Sequence, residues 1–168
     1  MIRSISNAIV YINGIANIGN CTSVELPEIE HRLVENEGLG LQGTIETYGG
    51  TEPMEATFEW NSFDRESFKA IANPTQTVQI QVRASQKEST LLGDTEIPVV
   101  AFLTGIFKTV PMGSFTKNES VELSSEMSVS YVRLMIGGEE IIEINAFTNI
   151  YRVGGVDVLA ALRANLGG

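Results

Sequence analysis

Residues 121–136, VELSSEMSVSYVRLMI, alternate with period two. Val121, Leu123, Ser125, Met127, Val129 and Tyr131 fall on one side, and Glu122, Ser124, Glu126, Ser128 and Ser130 on the other. One dry and one wet face is the signature of a half-buried strand. From Val132 the sides exchange: Val132, Leu134 and Ile136 become the apolar set and Arg133 joins the polar one. No Gly or Pro interrupts the run. One strand that changes its buried face is therefore predicted, through a β-bulge or a change of covering partner.

The same period recurs elsewhere. Ile9–Ile12 reads as a first strand closed by Asn13-Gly14, a pair suited to positive φ. In 54–60, Met54, Ala56, Phe58 and Trp60 share a side, leaving Glu55, Thr57 and Glu59 wet. In 77–83, Val78, Ile80 and Val82 point in, and Gln79, Gln81 and Arg83 point out. Residues 97–110 form a more apolar strand region whose Pro98 restricts it to a strand start or an edge. Gly137-Gly138 joins the 121–136 strand to 139–145 as a hairpin. Helical signals are few. Asn61 or Ser62 is placed to cap a short helix with Phe68, Ile71 and Ala72 inward and Pro74 as its stop. Asp157 is placed to cap 158–166, where Leu159, Leu162 and Leu166 line up and Gly167 terminates. The expectation is one mainly β domain over 1–168, a small barrel or sandwich with one or two short helices, the last at 157–166.

Residues 28–50 fit none of these patterns and are expected to form an extended loop. A connection of that length is uncommon unless functional or disordered. Leu33, Val34, Leu39, Leu41 and Ile45 are too apolar for a solvated loop and call for a partner surface. Charge points to the same region. The chain carries a formal −10, and residues 25–66 hold eleven acids against Arg32 and Arg65, a balance of −9. So acidic a surface does not grip phosphate, although it can let nucleic acid pass. No apolar run nears the ~20 residues that span a bilayer, so no membrane anchor is expected, and the N-terminus lacks the form of an export signal. Cys21 is the only cysteine, so no internal disulfide forms.

Catalytic chemistry is not indicated. His31 is the only histidine and reads as a surface side chain, so an N/S metal site lacks ligands. Cys21 has no histidine near it in sequence to activate it. The serines at 124, 125, 128 and 130 sit in a strand pattern, not a nucleophile elbow. Gly38-Leu-Gly-Leu-Gln-Gly43 follows an acidic run and is followed by no lysine, unlike a phosphate cradle. Glu55 and Glu59 are paired carboxylates, and a wet strand face accounts for them. No enzyme, cofactor or metal is expected.

Several stretches, in order, resemble the major tail tube proteins of P2-type contractile phage tails and their relatives in R-type bacteriocins. These are VYINGIANIG, SVELPEIEHRLVENEGLGLQG, MEATFEWN, IPVVAFLTGIFK and YVRLMIGGEEIIEINAFTNIYRVGGVDVLAALRANLGG. The likeness spans most of the chain, is most specific in the last block, and is weakest over 75–95. It implies hexameric rings stacked into a hollow tube whose subunits' sheets join, inside a contractile sheath. A baseplate-end initiator and a terminator would be partners at the two ends. DNA would pass the lumen without specific binding, and the protein would be made in the host cytoplasm and reside in the virion. On that reading Glu122, Ser124, Glu126, Ser128 and Ser130 are candidate lumen residues, with Glu55, Thr57 and Glu59 behind them. Leu33, Val34, Glu37, Leu39, Leu41 and Ile45 are candidates for contact with an adjacent ring or subunit. Alternatives are the tube of an R-type bacteriocin or another injection system, and a monomeric β-sandwich that binds a small ligand.

Overall fold

The computed structural model describes every residue except Ile18, Gly19 and Phe63. Its strands are β1 (Ile2–Ile12), β2 (Ile15–Asn17), β3 (Cys21–Glu25), β4 (His31–Asn36), β5 (Ile45–Thr51), β6 (Met54–Trp60), β7 (Val78–Thr90), β8 (Gly93–Phe107), β9 (Leu123–Ile136), β10 (Glu139–Asn145), β11 (Ile150–Val153) and β12 (Val156–Asp157). Two helices, α1 (Arg65–Ala72) and α2 (Ala160–Asn165), complete it. The main antiparallel sheet runs β12-β11-β10-β9-β8-β7-β1-β2, with β6 attached to β9 and β3 to β6; β4 and β5 pair only with each other.

The change of face in β9 is a bulge. The β8–β9 ladder steps from Thr104↔Tyr131 to Gly105↔Val129, leaving Ser130 unmatched. One extra residue advances the side-chain period by half a turn, so Val129 and Val132 both point inward and both are buried. Ser130 donates its hydroxyl to the Thr104 carbonyl (3.1 Å), and its own carbonyl accepts from Ala146 N (3.0 Å). The bulge also marks a fork. Below it β9 pairs with β6 through 123–129, and above it with β10 through 131–136, both on the same edge.

The inward faces converge on one core. Val10, Ile12, Val78, Ile80, Val82, Ala101, Leu103 and Phe107 come from the long strands. Met54, Ala56, Phe58 and Trp60 come from β6, Leu123, Met127, Val129 and Val132 from β9, and Ile71 from α1. Buried polar groups here are satisfied: Trp60 Nε1 donates to Ser125 Oγ (2.9 Å) and Ser67 Oγ to Asn17 Oδ1 (2.8 Å), so none of these groups carries the cost of an unmet hydrogen bond.

Several expectations are corrected. The segment 28–50 is largely a hairpin, β4–β5, with a bulge at Gly49. Its alternation was masked because both faces are exposed. The first strand starts at Ile2 and the 77–83 strand continues to Thr90; here too both faces stay at least partly open. Asp64, not Asn61 or Ser62, caps α1 by accepting from Ser67 N (3.0 Å). The α1 inner face is Ser67 and Ile71, with Ala72 exposed, because Ser67 Oγ reaches buried Asn17 Oδ1 (2.8 Å). Asp157 accepts from Leu159 N (3.1 Å) but α2 covers only 160–165. Pro98 lies within β8, at the level where β9 ends; its carbonyl accepts from Gly137 N (2.8 Å), so its nitrogen faces a side with no partner strand. No helix among the described residues is long and apolar enough to cross a membrane.

Candidate functional site

The β6–β9 register sets Glu55 opposite Ser128, Thr57 opposite Glu126, and Glu59 opposite Ser124. Residues directly opposite share a face, so these six form one patch across two strands. Each is exposed or half-buried, while their alternates (Met54, Ala56, Phe58, Trp60, Leu123, Ser125, Met127 and Val129) are buried. Glu122 lies just before β9 and lines a shallow depression with Glu59 and Ser124. Ser130 stands apart, at the bulge, with its hydroxyl committed to Thr104.

The patch extends further than its sequence pattern indicated. β3 adds Ser23 opposite Glu59 and Glu25 opposite Thr57, and Ser23 Oγ donates to Glu59 Oε2 (3.1 Å). Lys108 forms an ion pair with Glu55, and Lys108 N and Thr109 Oγ1 fix the Glu126 backbone (2.7 and 2.8 Å). Glu25, Glu55, Glu59 and Glu126 therefore share one face, on which Lys108 pairs with Glu55. β3 was too short for its alternation to register, and Lys108 lies beyond the end of β8.

Above the bulge the same outward face continues over β9, β8, β7 and β1 with different chemistry. Cross-strand rows read Tyr131, Thr104, Gln79 and then Arg133, Phe102, Gln81, Tyr11. The Arg133 guanidinium lies 5.9 Å from the Phe102 ring and that of Arg83 5.6 Å from Tyr11, within cation–π range. Arg133 also meets Glu140 (3.3 Å), and Glu143 takes Arg152 (3.1 Å). Burial, with Glu143 nearby, pushes the Tyr131 hydroxyl above its ordinary pKa, so it stays a neutral donor to Glu143 (3.3 Å). Gln79, Gln81 and Arg83 were legible as outward-facing from their alternation.

Leu33, Val34 and Ile45 lie on the β4–β5 hairpin, and Glu37, Leu39 and Leu41 at its tip. All are exposed, Leu39 entirely. Glu37 accepts from Thr44 Oγ1 (3.0 Å) and Asn36 Nδ2 donates to Thr47 Oγ1 (2.8 Å), holding the tip in shape. At the base, His31 Nε2 and the Tyr151 hydroxyl share a hydrogen bond (2.7 Å), and the His31 ring stands edge-on to Tyr48 (5.4 Å). His31 is thus an exposed side chain that ties the hairpin to β11. Cys21 is half-buried and its thiol is pushed up to about 11, first by burial and then by Glu59, against the pull of the Ser23 backbone. It is a thiol, not a thiolate nucleophile, at neutral pH.

A wet face over six strands, opposite a filled core, is left uncovered by the described elements. Comparison with known proteins identifies the family. The family model for phage tail tube protein FII matches residues 2–167. The chain belongs to that family. Within it, the tail tube protein of Escherichia phage P2 is 27% identical over 163 residues, covering 94% of this chain and 93% of the phage protein. A chain from the cryo-EM structure of an extracellular contractile injection system, the PVC sheath/tube terminator in its extended state, superposes with a TM-score of 0.52. It shares 16% identity over 77% of this tail tube protein and 94% of its own length. At that identity the match shows the fold.

Proposed function

We propose that this tail tube protein is the structural subunit of the inner tube of a contractile tail. Rings of six stack into a hollow rod inside the sheath, between an initiator at the baseplate and a terminator at the far end, within the virion. It performs no catalysis. The wet face of β3, β6 and β9, carrying Glu55, Thr57, Glu59, Glu122, Ser124, Glu126 and Ser128, lines the bore, and DNA passes along it. The observation that carries this reading is the contiguity of that face: the strands supply one unbroken polar surface that no element among the described residues covers, and their opposite surface packs into the core. Carboxylates repel a polyanion and small hydroxyls leave it nothing to grip, so the cargo slides. The exposed leucines, valine and isoleucine of β4–β5 meet the adjacent ring or subunit, where their apolar surface is covered.

Replacing Glu55, Glu59 and Glu126 together with lysine tests the assignment. Tubes should form normally, with DNA ejection slowed several-fold and more so at low salt, where screening is weak. A tube reconstruction that puts these three positions on the outer wall sinks the lumen reading.

A further inference from the structure

β1, β7 and β8 run on past the end of β9. Residues 2–8, 84–90 and 93–98 form a three-stranded arm in which no residue is buried. The outer edges of the arm are open along Ile2–Ala8 and Gly93–Ile97: β2 reaches β1 only at Val10–Ile12, and β9 reaches β8 only from Val99, with Gly137 N on the Pro98 carbonyl. An open edge presents unpaired N–H and C=O groups, and soluble chains keep such edges short or cover them.

The two edges match. Asn7, Ser85 and Pro98 lie side by side at one end, and Ile2, Ser89 and Asp94 at the other. Below the Ser6 bulge, Ile2 to Ile5 give four rungs, and Asp94 to Ile97 also give four. They stand at the same levels of the sheet. Their faces match as well: Ser4 is level with Glu96 on the wet side, and Ile5 with Ile97 on the other. Ile5 is 57% exposed and has no cover of its own. β1 and β8 are each antiparallel to β7, so they run in the same direction. In a closed ring every copy points the same way along the axis, so β1 of one copy beside β8 of the next forms a parallel ladder.

We propose that Ile2–Ile5 of each copy pairs in parallel with Asp94–Ile97 of its neighbour, joining the arms into one unbroken belt. This rests on the ring reading given under Proposed function. The belt carries Ser4, Asn7, Ser85, Lys87 and Glu96 on the face continuous with the acidic patch, so it closes the wet surface around the axis.

The test is cross-linking of tubes made from a Cys21→Ser chain carrying Ser4→Cys and Glu96→Cys. Within one copy these positions are separated by β7, about 9.5 Å at two strand spacings, beyond the ~7 Å Cα limit of a disulfide. Any bond therefore joins two copies. Mild oxidation should yield a ladder on a denaturing gel that climbs to the ring number, while either cysteine alone yields monomer. Intact tubes with no ladder overturn the edge pairing and leave the ring standing. A dimer from Ser4→Cys alone means a two-fold, antiparallel contact and also overturns it. If the unsubstituted chain forms neither rings nor rods, the ring reading fails and the belt with it. Should the double variant not assemble, amide exchange on the unsubstituted chain decides: Ile2–Ile5 and Asp94–Ile97 should slow at least about tenfold on assembly, and unchanged exchange there overturns the proposal.

Discussion

Gly105 sits where β8 meets the bulge, and a β-carbon added there would lie 1.9 Å from the Ser128 carbonyl oxygen. Neither backbone can retreat, since both strands are held on two sides. Gly105→Ala should therefore cost about 3 kcal/mol, seen as a fall of about 1 M or more in the urea midpoint of the unassembled subunit. An unchanged midpoint would mean that the bulge is not rigid. Gly49 is the contrast, because its added carbon meets a Val34 methyl at 2.4 Å on an exposed side chain that can turn away. The glycine at 105 gave no signal in the sequence beyond interrupting an apolar run. The change of face was legible, since the exchange of sides between Tyr131 and Val132 calls for an extra residue or a new covering partner, and the β8–β9 register shows the former. Its partner was not, because register between distant strands leaves no local trace.

Among elements, those with one buried face were readable: β6, β10 and the Gly137-Gly138 turn lie where alternation put them. Elements exposed on both faces were not, which is why the outer parts of β1 and β7 and the whole of β4–β5 were missed. For the candidate face, the alternation found its members on β6 and β9, whereas Ser23, Glu25 and Lys108 join through pairing alone. At the C-terminal element the Arg163 guanidinium, 2.5 Å from Asp157, holds that carboxyl below the usual aspartate range. A depressed carboxylate lends its full stabilisation above the unfolded value of about 4 and loses it as pH falls through the folded one. Acidification below about pH 4 should therefore loosen α2 while the core strands hold, and Asp157→Asn should abolish that step. Hydrogen exchange of residues 159–166 at pH 3 against pH 6 checks it; identical pH dependence in the variant would exclude Asp157 as the cause.

Over the whole molecule, the chain's charge is partitioned. The acids of 25–66 gather on β3, β6, the hairpin and α1, and the arginines at 83 and 133 lie over aromatic rings on the upper sheet. The forked β9 adds a timetable to this arrangement. Its ladders with β8 and β10 join neighbours in the chain, whereas its ladder with β6 joins residues more than sixty positions apart. Closing so long a span is entropically slow, so β7–β10 should gain protection first and β6 last in a pulse-labelled refolding experiment; simultaneous protection would contradict this order. The acidic patch is shared between β6 and β9, so it comes into being only at the last docking event, and a half-made subunit has no finished surface to offer a growing polymer.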